Sequence, residues 1–259
     1  TIKADYLQLA KNLKLENVDF IPVSALKGDN IVDKSSRIAW YEGPTLLEYL
    51  EQVEFEESNV DTWRFPVQWV IRPQSEDYPD YRGYAGRVIG EGVKVGESVV
   101  ILPSGVQTTI ERIELDQNEL QAAHDGQSVV LHLKDDVDIS RGDFIVSANK
   151  PAHAERGFEA NISWFENKAL DTNQVYLLQN QTKVTKIKIP EVQYKFDVNT
   201  QERIYDEDIR LNDIGRVSVK AAEEVVFDLN RDFPGNARGI IIDPRNNLTV
   251  GALTVEELL

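Results

Sequence analysis

From Phe65 onward the chain becomes a succession of short apolar-alternating segments with no helical stretch between them. FPVQWVIR (65–72), YAGRVIG (84–90), ESVVILP (97–103), VQTTIERIEL (106–115), QSVVLHL (127–133) and DFIVSA (143–148) form a first set. As a set they read as short alternating segments, the two-residue period of half-buried strands. Turn signals separate them: Gly90, Gly92, Gly96, Ser104-Gly105, Asp125-Gly126 and Arg141-Gly142-Asp143. Short strands in quick succession predict a closed or nearly closed barrel, which also hides the edges where strands would otherwise aggregate. The polar stretch 149–157, with Pro151, reads as a linker. A second all-β set follows at 158–165, 174–179, 182–189, 192–198, 215–221, 224–229 and 239–243. No repeat period relates the two sets. The expected fold is mainly β: two consecutive barrels, spanning 57–150 and 151–259.

The first 56 residues follow a different pattern, helix, strand, helix. Ile2, Tyr6, Leu9, Ala10 and Leu13 recur at helical spacing. Val18 to Val23 is a strand-like run that ends abruptly at Ser24-Ala25-Leu26 and breaks at Gly28-Asp29-Asn30. Thr45 opens a second helix as its N-cap, and Glu48 three residues on completes a capping box. Leu46, Leu47, Leu50 and Val53 are its apolar stripe. One strand between two helices closes no core, so 1–56 reads as the end of a parallel α/β domain. In such sheets ligands sit at the carboxyl ends of strands, which makes Ser24, Ala25 and Leu26 the candidate site residues.

Composition narrows the chemistry. The 259 residues suggest about two domains, and none is cysteine, which excludes disulfides, cysteine-zinc sites and thiol nucleophiles. The absence of Met points to a segment of a longer chain. No run approaches the roughly 18 apolar residues of a membrane helix, and no signal peptide opens the sequence, so a cytoplasmic location with no membrane partner is expected. Net charge is −16. Nucleic-acid binding needs a clustered basic face, and the nearest candidate is Lys183, Lys186, Lys188 and Lys195. Lys186 and Lys188 alternate with Ile187 and Ile189, so they read as the solvated face of a strand and no nucleic-acid partner is expected.

No catalytic residue and no metal ligand is nominated. His124, His132 and His153 share no ligand spacing, and no G-x-S-x-G elbow presents a nucleophile. The acidic stretches 55–61 and 204–210 read as solvated loops, with nothing apolar around them to shift a pKa. Trp40, Trp63, Trp69 and Trp164 are expected as core or domain-interface anchors.

A family resemblance rests on longer strings. GRVIGEGVKVGE (86–97) and HDGQSVVLHLKDDVDISRGD (124–143) resemble the second domain of elongation factor Tu and its relatives. WYEGPTLLEYLE (40–51), RFPVQWVIRP (64–73), DYRGYAGRV (80–88), LPSG (102–105) and DISRGD (138–143) resemble the GTPase subunits of bacterial sulfate adenylyltransferases. So do FEANISWF (158–165), DVNT (197–200), LNDIGRV (211–217) and IDPRNNLTVGA (242–252). The resemblance implies translation-factor-like barrels (domain 2-like, then domain 3-like) behind the remnant of a P-loop GTPase domain. It implies that Ser24, Ala25 and Leu26 are the last guanine-recognition motif. It also implies GTP and Mg²⁺ in the full-length protein, and a small catalytic sulfate adenylyltransferase subunit as heterodimer partner. The phosphate loop, the switch segments and the Asn-Lys-x-Asp motif are absent, so no cofactor is expected on this segment alone. Residues 72–84 hold a longer hairpin loop than the family's, and 35–43 lacks its Met-Pro. The alternatives are a translation-type GTPase fragment that binds tRNA, disfavoured by the acidity, and a barrel pair that only scaffolds.

Overall fold

The computed structural model describes residues 2–12, 15, 17–53, 60–73, 81–116, 118–197, 200, 202–205 and 208–259. Leu13, most of the acidic stretch 55–61, the centre of the 72–84 hairpin, Val198 and Asn199 of DVNT, and the 206–207 acids lie outside them. The chain divides into two compact units, Thr1–Glu57 and Ser58–Leu259.

In the first unit, α1 spans Ile2–Asn12 and α2 spans Leu46–Gln52. The capping box forms as the Thr45/Glu48 spacing predicts: Glu48 N–H donates to Thr45 Oγ1 at 3.2 Å, and Thr45 N–H donates to the Glu48 carboxylate at 2.8 Å. The expected strand at 18–25 is absent. Among the described residues the segment has a single β-bridge, Ser24 to Asp29, and no strand lies beside Val18 to Val23. A strand exists only where a neighbouring backbone completes its hydrogen bonds, and Pro22 has no N–H to offer. The only buried residues described in this unit are Ala10, Asp29, Asn30 and Thr45; of its apolar stripes Ile2, Tyr6, Leu47, Leu50 and Val53 are exposed, and Leu9 and Leu46 are half-buried.

The second unit contains two closed barrels of six antiparallel strands each. Barrel one uses β1 Trp63–Ile71, β2 Gly83–Arg87, β3 Ser98–Leu102, β4 Val106–Leu115, β5 Ser128–Leu133 and β6 Phe144–Ser147. They run in the order β6-β3-β4-β5-β2-β1, and β1 pairs back onto β6. Barrel two uses β7 His153–Trp164, β8 Val175–Asn180, β9 Lys183–Phe196, β10 Ile214–Phe227, β11 Arg238–Asp243 and β12 Leu248–Leu258. Their order is β8-β11-β12-β7-β10-β9, closed by β8 on β9. Alternation sets what faces in: Phe158, Ala160, Ile162 and Trp164 of β7 all lie in the second core. Gly92 and Gly96 take the left-handed φ of +121° and +86° at the rim turns; a Cβ on Gly92 would sit 2.7 Å from the Ala123 carbonyl.

In the barrels and among the tryptophans four further readings of the sequence change. The linker is shorter than 149–157, because His153, Ala154 and Glu155 pair with Phe227, Val226 and Val225. The segments 182–189 and 192–198 join into the one strand β9, whose register slips between Lys188 and Glu191. That bulge accommodates Pro190, which has no N–H for the ladder. Segments 215–221 and 224–229 likewise join as β10. Of the tryptophans, Trp63 and Trp164 are core, whereas Trp40 and Trp69 are 76% and 66% exposed. For Trp69 the cause is the bulge between Val67 and Trp69, which breaks the alternation of β1.

The barrels are joined by a buried seam. Val100, Leu102, Phe144 and Val146 turn outward from barrel one and cluster with Ala152 and Val226. Beside them Arg64 reaches Asp228 with two bonds, Nε to Oδ2 at 2.9 Å and Nη2 to Oδ1 at 2.7 Å. Its Nη1 donates to the Lys150 carbonyl at 2.8 Å and to Thr62 Oγ1 at 3.0 Å. Asn236 Nδ2 donates to Asp228, and the guanidinium lies 5.1 Å from the Phe233 ring centre. Removing one partner of a pair this dry leaves an uncompensated charge. Arg64→Met is therefore expected to cost about 3–5 kcal/mol, and Arg64→Met with Asp228→Leu to recover most of it. Chemical denaturation of the two single variants and the double variant measures the coupling; purely additive losses would contradict the seam as described.

Candidate functional site

The turn predicted to face a ligand is built as a closed loop. Ser24 N–H donates to the Asp29 carbonyl at 3.1 Å, and the Lys27 and Asp29 N–H groups both return to the Ser24 carbonyl at 3.2 Å. Ser24, Ala25 and Leu26 are thus brought together at the outer side of a hairpin-like turn, with Leu26 94% exposed. Among the described residues nothing accepts the N–H of Ala25 or of Leu26. Two adjacent backbone donors on an exposed turn can bind a carbonyl oxygen or an anion.

The loop is held from behind by residues the sequence reading did not nominate. Asp29 accepts from Ser35 Oγ at 2.5 Å and from Arg37 at 2.6 Å through Nη2 and 3.0 Å through Nε. Asn30, 2% exposed, donates its amide to the Pro22 carbonyl at 3.0 Å and accepts from Ser35 N–H at 2.9 Å. The Asn30 carbonyl then receives the Leu46 N–H at 2.9 Å, which ties the loop to the start of α2. The available signal was Gly28-Asp29-Asn30: Asp and Asn at a chain reversal hold backbone through their side chains. Their partners at 35 and 37 follow no local pattern.

In the barrels, among the described residues no group of three His, Cys, Asp or Glu is arranged to hold a metal. His132 is buried in barrel one, with Nδ1 2.9 Å from the Arg82 carbonyl and Nε2 3.2 Å from Glu114. Burial, followed by the Arg112 guanidinium, pushes its pKa below the ordinary value against the pull of Glu114. It is a packing residue. No described helix is long and apolar enough to cross a membrane.

Comparison with known proteins bears on the whole length. Residues 157–256 match the family described as GTP-eEF1A C-terminal domain-like. The chain is 39% identical over 259 residues to sulfate adenylyltransferase subunit 1 of Teredinibacter turnerae, and 40% identical over 259 residues to that of Cellvibrio japonicus. The Bacteroides fragilis protein of the same name is 38% identical over 249 residues. The first two matches take in 99% of this chain and 54% of the relative, so the chain spans about half the length of the curated relatives it matches. Among solved structures, Sup35 complexed with GDP superposes with a TM-score of 0.69 at 21% identity, covering 93% of this chain and 59% of that one. Sup35 complexed with GMPPNP gives 0.68 at 21% identity, covering 100% and 64%. At that identity the likeness is one of fold.

Hydrogen bonds from Arg37, then Ser35, hold the Asp29 carboxyl below the usual carboxylate range. A depressed folded-state pKa stabilises the loop above the ordinary value of about 3.9 and loses that contribution as pH falls through the folded pKa. Amide resonances of Ser24 to Asn30 followed by NMR should stay fixed through about pH 4 and shift together below it. In Arg37→Ala the same shift is expected at higher pH.

Proposed function

We propose that this chain is the barrel-bearing part of the GTPase subunit of a sulfate adenylyltransferase. That enzyme forms adenosine 5′-phosphosulfate and pyrophosphate from ATP and sulfate, driven by GTP hydrolysis. The observation that carries the reading is identity of 38–40% to proteins named subunit 1 of that enzyme over nearly the whole chain. On this reading residues 1–56 end the nucleotide-binding domain, 57–150 form the first barrel domain and 151–259 the second. The partner is the small catalytic subunit, in a cytoplasmic heterodimer.

The geometry supports a division of labour. The N–H groups of Ala25 and Leu26, backed by Ser24, would meet the carbonyl side of the guanine base. In the full-length protein GTP with Mg²⁺ would order the switch segments through the γ-phosphate, and release of that phosphate after hydrolysis would free them. The sequence contains no phosphate loop, so this segment alone would neither hold GTP tightly nor hydrolyse it. The two barrels, joined by the Arg64–Asp228 seam, would move as one body and pass the nucleotide state to the partner as a rotation.

Reconstitution tests the reading. The complete subunit, mixed with the small subunit, ATP, sulfate and GTP, should stimulate adenosine 5′-phosphosulfate formation in a GTP-dependent way; residues 1–259 in its place should not. GTP hydrolysis by residues 1–259 alone, or a complete subunit indifferent to GTP, would refute it. In the complete subunit Ala25→Pro, which deletes one N–H, should weaken GTP binding about tenfold, the size of one hydrogen bond to a ligand. A salt-sensitive shift of tRNA by the complete subunit would favour the translation-type alternative.

A further inference from the structure

Resting on the proposed reading of the 24–30 turn, we infer that Arg37 and Asp29 are positioning residues for base selection. They hold the Ala25 and Leu26 N–H groups so that the site takes a purine with a carbonyl at position 6 and rejects one with an amine there. The tip of the turn has little else to hold it. Ala25, Leu26, Lys27 and Gly28 are all exposed, and a Cβ on Gly28, whose φ is +71°, would meet nothing within 4 Å. Packing therefore does not fix these four residues. Among the described residues, the hydrogen bonds that reach them are Lys27 N–H to the Ser24 carbonyl at 3.2 Å, Ile31 N–H to the Gly28 carbonyl at 3.4 Å, and Arg37 Nη2 to the Lys27 carbonyl at 3.4 Å. The first two are backbone bonds of the reversal itself. Only the third comes from a side chain.

That side chain is itself fixed. Arg37 Nε and Nη2 both engage Asp29 Oδ1, at 3.0 and 2.6 Å, so one planar guanidinium grips the turn at residues 27 and 29 together. The Asp29 carboxylate also takes the Ser35 hydroxyl at 2.5 Å. Ser35 Oγ in turn accepts the Arg37 N–H at 3.2 Å, at the start of the 3-10 turn Ser36–Ile38. Carboxylate, hydroxyl and guanidinium thus close a ring of bonds, and it backs directly onto the tip. The other side of the ring is anchored as well. The Asn30 and Ile31 carbonyls receive the Leu46 and Leu47 N–H groups, both at 2.9 Å, which fastens the exit of the turn to the first turn of α2.

Selection follows from the rigidity of the donors. A carbonyl oxygen has two lone pairs and can accept from both N–H groups. An amine in its place sets hydrogens against hydrogens, so the bonds are lost while the groups are still taken out of water. That penalty is felt only where the donors cannot turn away. A loose turn would swing its peptide groups back to solvent and tolerate either substituent. A turn gripped at 27 and 29 keeps them in place before the ligand arrives, which lowers the ordering cost for the right base and leaves the wrong one unpaired.

The test is equilibrium binding of three nucleotides to the complete subunit. These are GDP, inosine diphosphate, which keeps the carbonyl at position 6, and 2-aminoadenosine diphosphate, which carries an amine there. Arg37→Ala should weaken GDP and inosine diphosphate alike, by about tenfold, and leave 2-aminoadenosine diphosphate within about twofold, so that the preference for the carbonyl narrows. Arg37→Lys, which keeps one charged donor, should recover part of that preference. Unchanged GDP affinity in Arg37→Ala, or equal losses for all three nucleotides, would overturn the inference and leave the reading of the turn in place. A complete subunit that does not bind GDP, or one in which Ala25→Pro leaves GDP affinity unaltered, would overturn that reading and the inference with it. If Arg37→Ala fails to fold, Ser35→Ala, which removes one bond to Asp29, decides the matter: it should narrow the same preference by a smaller factor, and no narrowing would overturn the inference.

Discussion

The Arg64–Asp228 pair is the constraint on which the rest of the barrel unit depends. Both side chains are nearly inaccessible, 3% and 8% exposed, so folding takes two charges out of water. That is tolerable only with a near-complete set of partners. Here the planar fork meets the carboxylate at both oxygens, Nη1 is taken up by Thr62 and the Lys150 carbonyl, and Asn236 contributes a further donor. Apolar contact between Val100, Val146, Phe144 and Val226 would glue the barrels at many angles. The bidentate pair permits one. Hydrophobic burial supplies the attraction at this seam, and the ion pair supplies the register.

That division explains what the sequence made legible. Each barrel strand carries its own evidence, because alternation and turn residues are local. The β7 pattern of Phe158, Ala160, Ile162 and Trp164 could be read directly, and the core confirms it. The seam was written in the same residues but as a departure from alternation. ESVVILP and DFIVSA are apolar on consecutive positions because Val99, Ile101 and Ile145 face the first core while Val100, Leu102, Phe144 and Val146 face barrel two. Continuous apolar runs of strand length mean burial on both faces. Arg64 and Asp228, 164 positions apart, have no local signature at all. Only closure of both barrels brings them together.

The segment at 18–25 is the converse case. Its composition is that of a buried strand, and among the described residues it has one β-bridge, Ser24 to Asp29, and no partner strand, since strand character is a property of two backbones rather than one. The turn that follows it is nevertheless ordered. Ser24, Ala25 and Leu26 were legible as an exposed turn after an apolar run, because small residues followed by Gly28-Asp29-Asn30 end a strand for steric reasons. What fixes the turn was legible only in part. Asp29 and Asn30 announce side-chain bonding to nearby backbone, but the choice of Ser35 and Arg37 as partners depends on where the chain returns.

The two kinds of order in this chain respond differently to perturbation. In the barrels, stability is shared among many strands, and losing one inward side chain is felt through a close-packed core. Among the described residues of the first unit apolar burial is slight, so the shape of the 24–30 loop rests on a few polar contacts: Asp29 with Arg37 and Ser35, Asn30 with Pro22, and the Asn30 carbonyl with Leu46. Such a loop is specific yet weakly held, and regions of this kind occupy the low-stability end of a native structure. That suits a turn whose two outward N–H groups have no described partner. The cost of rearranging it is set by that handful of hydrogen bonds, whereas the barrel strands are held by close-packed cores.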